Sequence, residues 1–151
     1  MADRKPKVII LIGRSMSGKT SLCQRLMNKV PAYAKTQTIH VLDRKMIDTP
    51  GEYLERGDMR GALMTTSVDA DVIVLVQDAT ERGTMFPPAF TSMFAKPAIG
   101  VVTKSDLASE KDIKIAKNYL NLAGVGTIYV VSSIEGTGIT DLADFLGYSQ
   151  N

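Results

Sequence analysis

Near the start of the chain, Gly13-Arg14-Ser15-Met16-Ser17-Gly18-Lys19-Thr20 matches G-x-x-x-x-G-K-[ST], a spacing suited to holding a chain of phosphates. The match follows the apolar run Val8-Ile9-Ile10-Leu11-Ile12 and leads into Ser21-Leu22-Cys23-Gln24-Arg25-Leu26-Met27, an amphipathic segment. A strand that enters such a turn and leaves it as a helix aims several backbone N–H groups at one point. The positive end of the helix dipole adds to them, and a phosphate can sit there. Lys19 can reach the β- and γ-phosphates, and the Thr20 hydroxyl can bind Mg²⁺. Without the strand before it and the helix after it, the same stretch would read as an ordinary Gly-rich turn.

Three later segments bear on which nucleotide is held. Asp48-Thr49-Pro50-Gly51 follows the loop by about 30 residues. An Asp at a strand end can hold Mg²⁺ through water, and the Gly51 N–H can meet a γ-phosphate. Taken alone, Asp-Thr-Pro-Gly is simply a good turn sequence. Thr103-Lys104-Ser105-Asp106 follows the run Ala98-Ile99-Gly100-Val101-Val102. The Asp106 carboxylate can accept from guanine N1–H and its exocyclic amine, whereas adenine offers no donor at N1. Asp106 or Ser109 can also cap a following helix, and the two roles are compatible. Val130-Val131-Ser132-Ser133 ends another apolar run, where the N–H groups of Ser132 and Ser133 can brace the guanine carbonyl.

In order and approximate spacing, these four segments resemble the motifs of small P-loop GTPases over essentially the whole chain. Ala34-Lys35-Thr36-Gln37, then Ile47-Asp48-Thr49-Pro50-Gly51-Glu52-Tyr53 after a short span, resembles the EutP/PduV family more narrowly. Those proteins accompany bacterial microcompartments for ethanolamine or propanediol breakdown. The resemblance implies Mg²⁺ with GTP or GDP as the bound group. It also implies a shell or assembly protein as partner, and a place in the cytoplasm at such a compartment. Thr36 then becomes the Mg²⁺ ligand of the triphosphate state, with Thr38 the alternative.

Two positions depart from the GTPase pattern. Where many relatives carry a water-orienting Gln after Asp-x-x-Gly, this chain has Glu52. Its charge can accept a proton but is repelled by a γ-phosphate, so Glu52 either serves catalysis as that proton acceptor, together with Lys19, or points outward. Arg56 and Arg60 are candidate arginine fingers or plain helix residues, and slow hydrolysis is expected. Met16 stands where potassium-activated relatives carry Asn. A thioether is a poor ligand for a hard cation, so that activation is not expected. Two functions remain open: a guanine-nucleotide switch, and the acetate kinase activity attributed to ethanolamine-utilisation members, for which ATP could also serve.

Composition sets the frame for these elements. A chain of 151 residues with 44% hydrophobic content fits one domain over residues 1–151 with a core of its own. The single cysteine, Cys23, cannot form an internal bridge, which suits a reducing compartment. A net charge of +2 without a basic stripe among aromatics argues against nucleic acid. The apolar run after Arg4, Lys5 and Lys7 is shorter than the roughly 7–15 residues of a signal core, and those basic residues read as a solvated tail or, as the family resemblance allows, an address for a microcompartment partner. No stretch approaches the about 20 apolar residues that span a bilayer.

Apolar runs at 8–12, 72–76, 98–102 and 127–131 are continuous rather than alternating, the mark of strands covered on both faces. Thr38-Ile39-His40-Val41-Leu42 alternates, and with 44–48 it predicts a hairpin whose outer arm is an antiparallel edge strand. His40 reads as an exposed strand residue. The expected fold is an α/β, three-layer P-loop arrangement: a mostly parallel six-stranded sheet with helices on both faces. Helices are expected over 109–123, capped by Ser109, and from about Ile139 to Leu146. Met85, Phe86, Phe90 and Phe94 are spaced to line a helix face with Pro87 and Pro88 in its first turn. That face would be core, or alternatively a surface for a partner.

Overall fold

Runs of branched apolar residues form the parallel strands here, and the three inner ones are covered on both faces, whereas the edge run 128–130, expected to be covered as well, is only half-buried. The structure, a computed structural model, describes residues 6–27 and 45–148. Within them, β1 (Ile9–Ile12), β2 (Met46–Asp48), β3 (Val72–Asp78), β4 (Ala98–Thr103) and β5 (Ile128–Val130) form one sheet in the order β2-β1-β3-β4-β5. Every pairing is parallel, with Ile9 opposite both Met46 and Val72. The antiparallel arm expected at Thr38-Ile39-His40-Val41-Leu42 lies outside the described residues, as does Thr36. The sheet among the described residues therefore has five strands rather than six.

Alternation along each strand divides the core in two. Ile9, Leu11, Val74 and Val76 face α1 (Lys19–Met27) and α5 (Ile139–Leu146), meeting Leu22, Leu26, Leu142 and Leu146. Ile10, Ile12, Ile73 and Leu75 face the opposite layer, built from α2 (Glu52–Glu55), α3 (Arg60–Ser67) and α4 (Glu110–Leu122). This is the expected three-layer α/β arrangement.

The capping of α4 follows its sequence closely. Ser109 Oγ accepts the Asp112 N–H at 3.1 Å, and Asp112 accepts the Ser109 N–H at 3.1 Å, a reciprocal box. Ala116, Leu120 and Ala123 are buried on one face, and Gly124 ends the helix at φ +109°.

Residues 84–94 do not form the expected helix. Only one 3₁₀ turn, Phe90–Met93, is present, because Ala89 before it adopts a left-handed φ of 61°. Leu122 and Ala123 at the end of α4 hold the segment through the N–H groups of Ala89 (2.8 Å) and Thr91 (3.0 Å). Phe86, Phe90 and Phe94 are buried with ring centroids 5.4 and 5.6 Å apart, so the aromatic side chains are core rather than a partner surface. Lys7 also departs from expectation. It is no solvated tail: its ammonium donates to the Phe145 carbonyl at 3.3 Å and lies over that ring. Arg4 and Lys5 lie outside the described residues.

Ser109→Ala removes one half of the α4 box. It should destabilise the fold by about 1 kcal/mol. A thermal melt should show Tm lowered by about 2–4 °C, while Ser109→Asp retains the cap.

Candidate functional site

The four motif segments among the described residues leave the C-terminal ends of parallel strands, so they meet along one edge of the sheet, where ligands of open α/β sheets bind. The 13–20 loop follows β1, 49–51 follows β2, 103–106 follows β4 and 131–133 follows β5.

The loop folds around the Lys19 ammonium. Lys19 is 7% exposed, and its Nζ donates to the carbonyls of Gly13 at 2.7 Å and Arg14 at 3.0 Å, and to Ser17 Oγ at 3.5 Å. Burial lowers its pKa, with Asp48 and Glu55 opposing that effect. While these carbonyls turn toward the ammonium, the N–H groups of Met16, Gly18, Lys19 and Thr20 take no acceptor among the described residues. A row of free donors at the start of α1 is a cradle for an anion. Met16 makes the bend with φ 66° and its side chain is 88% exposed; Gly18 follows at φ +100°. Thr103 Oγ1 donates to the Ser17 carbonyl at 2.6 Å and ties the loop to β4. Ser21 is exposed on α1, and Arg14 is paired with Glu81 at 2.7 Å.

Thr20 Oγ1 donates to Asp48 Oδ2 at 2.9 Å, and both residues are exposed. A hydroxyl and a carboxylate fit Mg²⁺, which favours oxygen ligands and draws most of its shell from phosphates and water. No cluster of three or more His, Cys, Asp or Glu able to hold a metal occurs among the described residues. Thr49 N–H and Oγ1 both donate to the Leu11 carbonyl, at 3.3 and 2.7 Å, fixing 48–51 beside β1. Gly51 packs against Ser15 so closely that a Cβ at Gly51 would land on the Ser15 backbone nitrogen. One turn later, Glu55 accepts the Ser15 N–H at 2.6 Å.

On the base side, Asp106 Oδ1 accepts the buried Ser132 hydroxyl at 2.8 Å, while Oδ2 has no partner among the described residues. The Ser132 N–H donates to Thr137 at 3.0 Å, so Ser132 reaches the site through its side chain, next to Ser133. Lys104, at φ 61°, spans the two halves: its Nζ donates to the Met16 carbonyl at 2.9 Å and pairs with Asp78 at 2.8 Å. Burial would raise the Asp78 pKa, but Lys104 and two bonds from Thr80 outweigh it and hold the group below its ordinary value.

Glu52 is exposed in the first turn of α2. Neither arginine suggested as a finger is free. Arg56 pairs with Asp58 at 3.0 Å, and Arg60 donates to the Leu54 carbonyl at 3.1 Å. Sequence reading missed Glu55 and Asp78. The available signal for Asp78 was a carboxylate at the C-terminal end of a central strand; Glu55 had none beyond lying one helical turn past Gly51.

The topology and this edge of the sheet define a P-loop GTPase fold. Solved structures agree: the G-domain of FeoB from Methanococcus jannaschii has a TM-score of 0.61 at 19% identity, covering 96% of this chain and 99% of that one. Elongation factor SelB from Methanococcus maripaludis, in complex with the GTP analogue GppNHp, has a TM-score of 0.62 at 21% identity, covering 96% and 34%. A family model described as ethanolamine utilisation - propanediol utilisation matches residues 6–148. The propanediol utilization protein PduV of Citrobacter freundii is 41% identical over 145 residues, 96% of each chain. "Probable acetate kinase EutP" of Escherichia coli strain K12 is 28% identical over 141 residues, 93% of this chain and 89% of that one. The chain belongs to this ethanolamine and propanediol utilisation family. Among the described residues, no helix is long and apolar enough to cross a membrane.

Gly51→Ala should separate the 51–55 segment from the loop. Amide exchange across 51–55 should rise roughly tenfold while β3 and β4 keep their protection. Unchanged exchange would show that the close approach is dispensable.

Proposed function

We propose that the chain is a guanine-nucleotide switch of the small P-loop GTPase type that hydrolyses GTP slowly and serves ethanolamine or propanediol utilisation. The observation that carries this reading is the Lys104 bridge. By joining Met16 of the phosphate loop to the segment holding Asp106, it sets base reading and phosphate holding at a fixed separation.

The roles follow from the chemistry of each group. Unpaired loop N–H groups and Lys19 take the phosphate oxygens, while Gly51 meets the terminal phosphate. Mg²⁺, held by Thr20 with Asp48 alongside and by Thr36 of the segment outside the described residues, would neutralise charge on the β- and γ-phosphates. Asp106, oriented by Ser132, accepts from guanine N1–H and the exocyclic amine, and Ser133 braces the carbonyl. Hydrolysis is slow because Glu52 lacks a donor to orient water and Arg14, Arg56 and Arg60 are each engaged. In the triphosphate state the ordered switch segments would offer a surface to a microcompartment shell or assembly protein.

The names of the Escherichia coli and Salmonella relatives support a second reading, a kinase in which an acetate oxygen attacks the γ-phosphorus. The nucleoside diphosphate would leave and acetyl phosphate would form. The described residues place no pair of arginines together for a carboxylate acceptor, each of the three nearby ones having a different partner, and this favours the switch.

Lys19→Ala should weaken triphosphate binding at least about tenfold in an equilibrium titration; unchanged affinity in a folded variant would contradict the phosphate site. Without acetate, wild type should hydrolyse GTP near ~10⁻⁴ s⁻¹, and Glu52→Ala should change that by only about a few-fold. Acetyl phosphate formation at about 1 s⁻¹ or faster would establish the kinase instead.

A further inference from the structure

Glu55 makes a contact that the roles above do not use. Its Oε2 accepts the Ser15 N–H at 2.6 Å, and its Oε1 accepts the Ser15 hydroxyl at 3.3 Å. Ser15 belongs to the phosphate loop and lies on the limb against which Gly51 packs. An oxyanion from the protein thus already holds a loop amide where the loop meets the 51–55 segment. The Ser15 bonds and the charges of Arg14 and Lys19 keep the Glu55 pKa below its ordinary value, so the group is anionic at neutral pH.

We propose that Glu55 is the residue by which this site distinguishes a nucleoside triphosphate from a diphosphate, its carboxylate competing with the terminal phosphate for the Ser15 end of the loop. The proposal rests on the nucleotide reading given above. A carboxylate and a phosphate oxygen make the same kind of charge-assisted bond to an N–H. With a diphosphate bound, Glu55 keeps Ser15 and holds α2 on the loop. A triphosphate brings a further anion to Lys19 and Gly51, next to the carboxylate, and like charges at that range repel. Glu55 must then let go. The release is local: the segment stays attached through buried Leu54, whose carbonyl accepts from Arg60, and through the packing of Gly51 on Ser15.

A clamp with a purely structural role would affect both nucleotides alike, and chain-length selectivity therefore separates the two cases. Full-length wild type, Glu55→Gln and Glu55→Ala would be titrated with GDP and with a non-hydrolysable GTP analogue in Mg²⁺. Removal of the competing anion should tighten analogue binding about fivefold in both variants and change GDP binding less than about twofold. In wild type, the analogue but not GDP should shift the Ser15 amide resonance as Glu55 lets go of that N–H, and Glu55→Ala should produce the same shift without nucleotide. Intact GDP binding with unchanged or weaker analogue binding in the variants would overturn the Glu55 role and leave the nucleotide reading standing. Failure of wild type to bind either nucleotide would overturn both.

Discussion

A buried ammonium organises the site. Lys19 is almost fully withdrawn from water, and an unpaired cation there would be costly, so it needs oxygen acceptors within reach. The loop meets that demand by curling the carbonyls of Gly13 and Arg14 onto Nζ. The same curl leaves the N–H groups of Met16, Gly18, Lys19 and Thr20 without acceptors among the described residues, and the left-handed residues Met16 and Gly18 make it possible. Cation and anion cradle are therefore two consequences of one backbone path. The strand before it cannot shift to relieve the loop, because Ile9 to Ile12 are wholly buried between two helical layers.

A second lysine extends this order across the sheet edge. Lys104 satisfies itself on Met16 of the loop and on Asp78 at the end of β3, so three strands converge on one ammonium. Asp106, two residues on, is oriented by Ser132 from the β5 side. A base-reading carboxylate held by a neighbour has fewer orientations to lose on binding. The base side of the site is held by the Lys104 and Ser132 contacts. On the side of 51–55 it is closed by packing at Gly51 and by the Glu55 contact, the weaker attachment.

Much of this was legible in the sequence because the residues involved have few alternative uses. The loop glycines, the buried apolar runs and the Ser109–Asp112 box each point to one local structure, and α5 runs over Ile139–Leu146 as its spacing predicts. The failures come from contacts between residues distant in the sequence. A left-handed Ala89 broke the helix that aromatic spacing suggested, since the C-terminal end of α4 captures that backbone instead. Lys7 looked like a tail residue because its partner, Phe145, is at the other end of the chain. Glu55 and Asp78 were invisible for the same reason: each acts on a residue more than twenty positions away, Ser15 and Lys104. Charge contacts across such separations leave no periodic trace in a single sequence.

The central claim is that Asp106 reads guanine on a phosphate loop built around Lys19. Competition titration of GTP, ATP and xanthosine triphosphate against wild type and Asp106→Asn tests it most directly. Wild type should prefer GTP over ATP by at least about a hundredfold, because adenine would leave the carboxylate unpaired. Asp106→Asn should weaken GTP and gain relative affinity for xanthosine triphosphate, whose 2-oxo group accepts from the new amide. Equal binding of ATP and GTP by wild type would contradict the account.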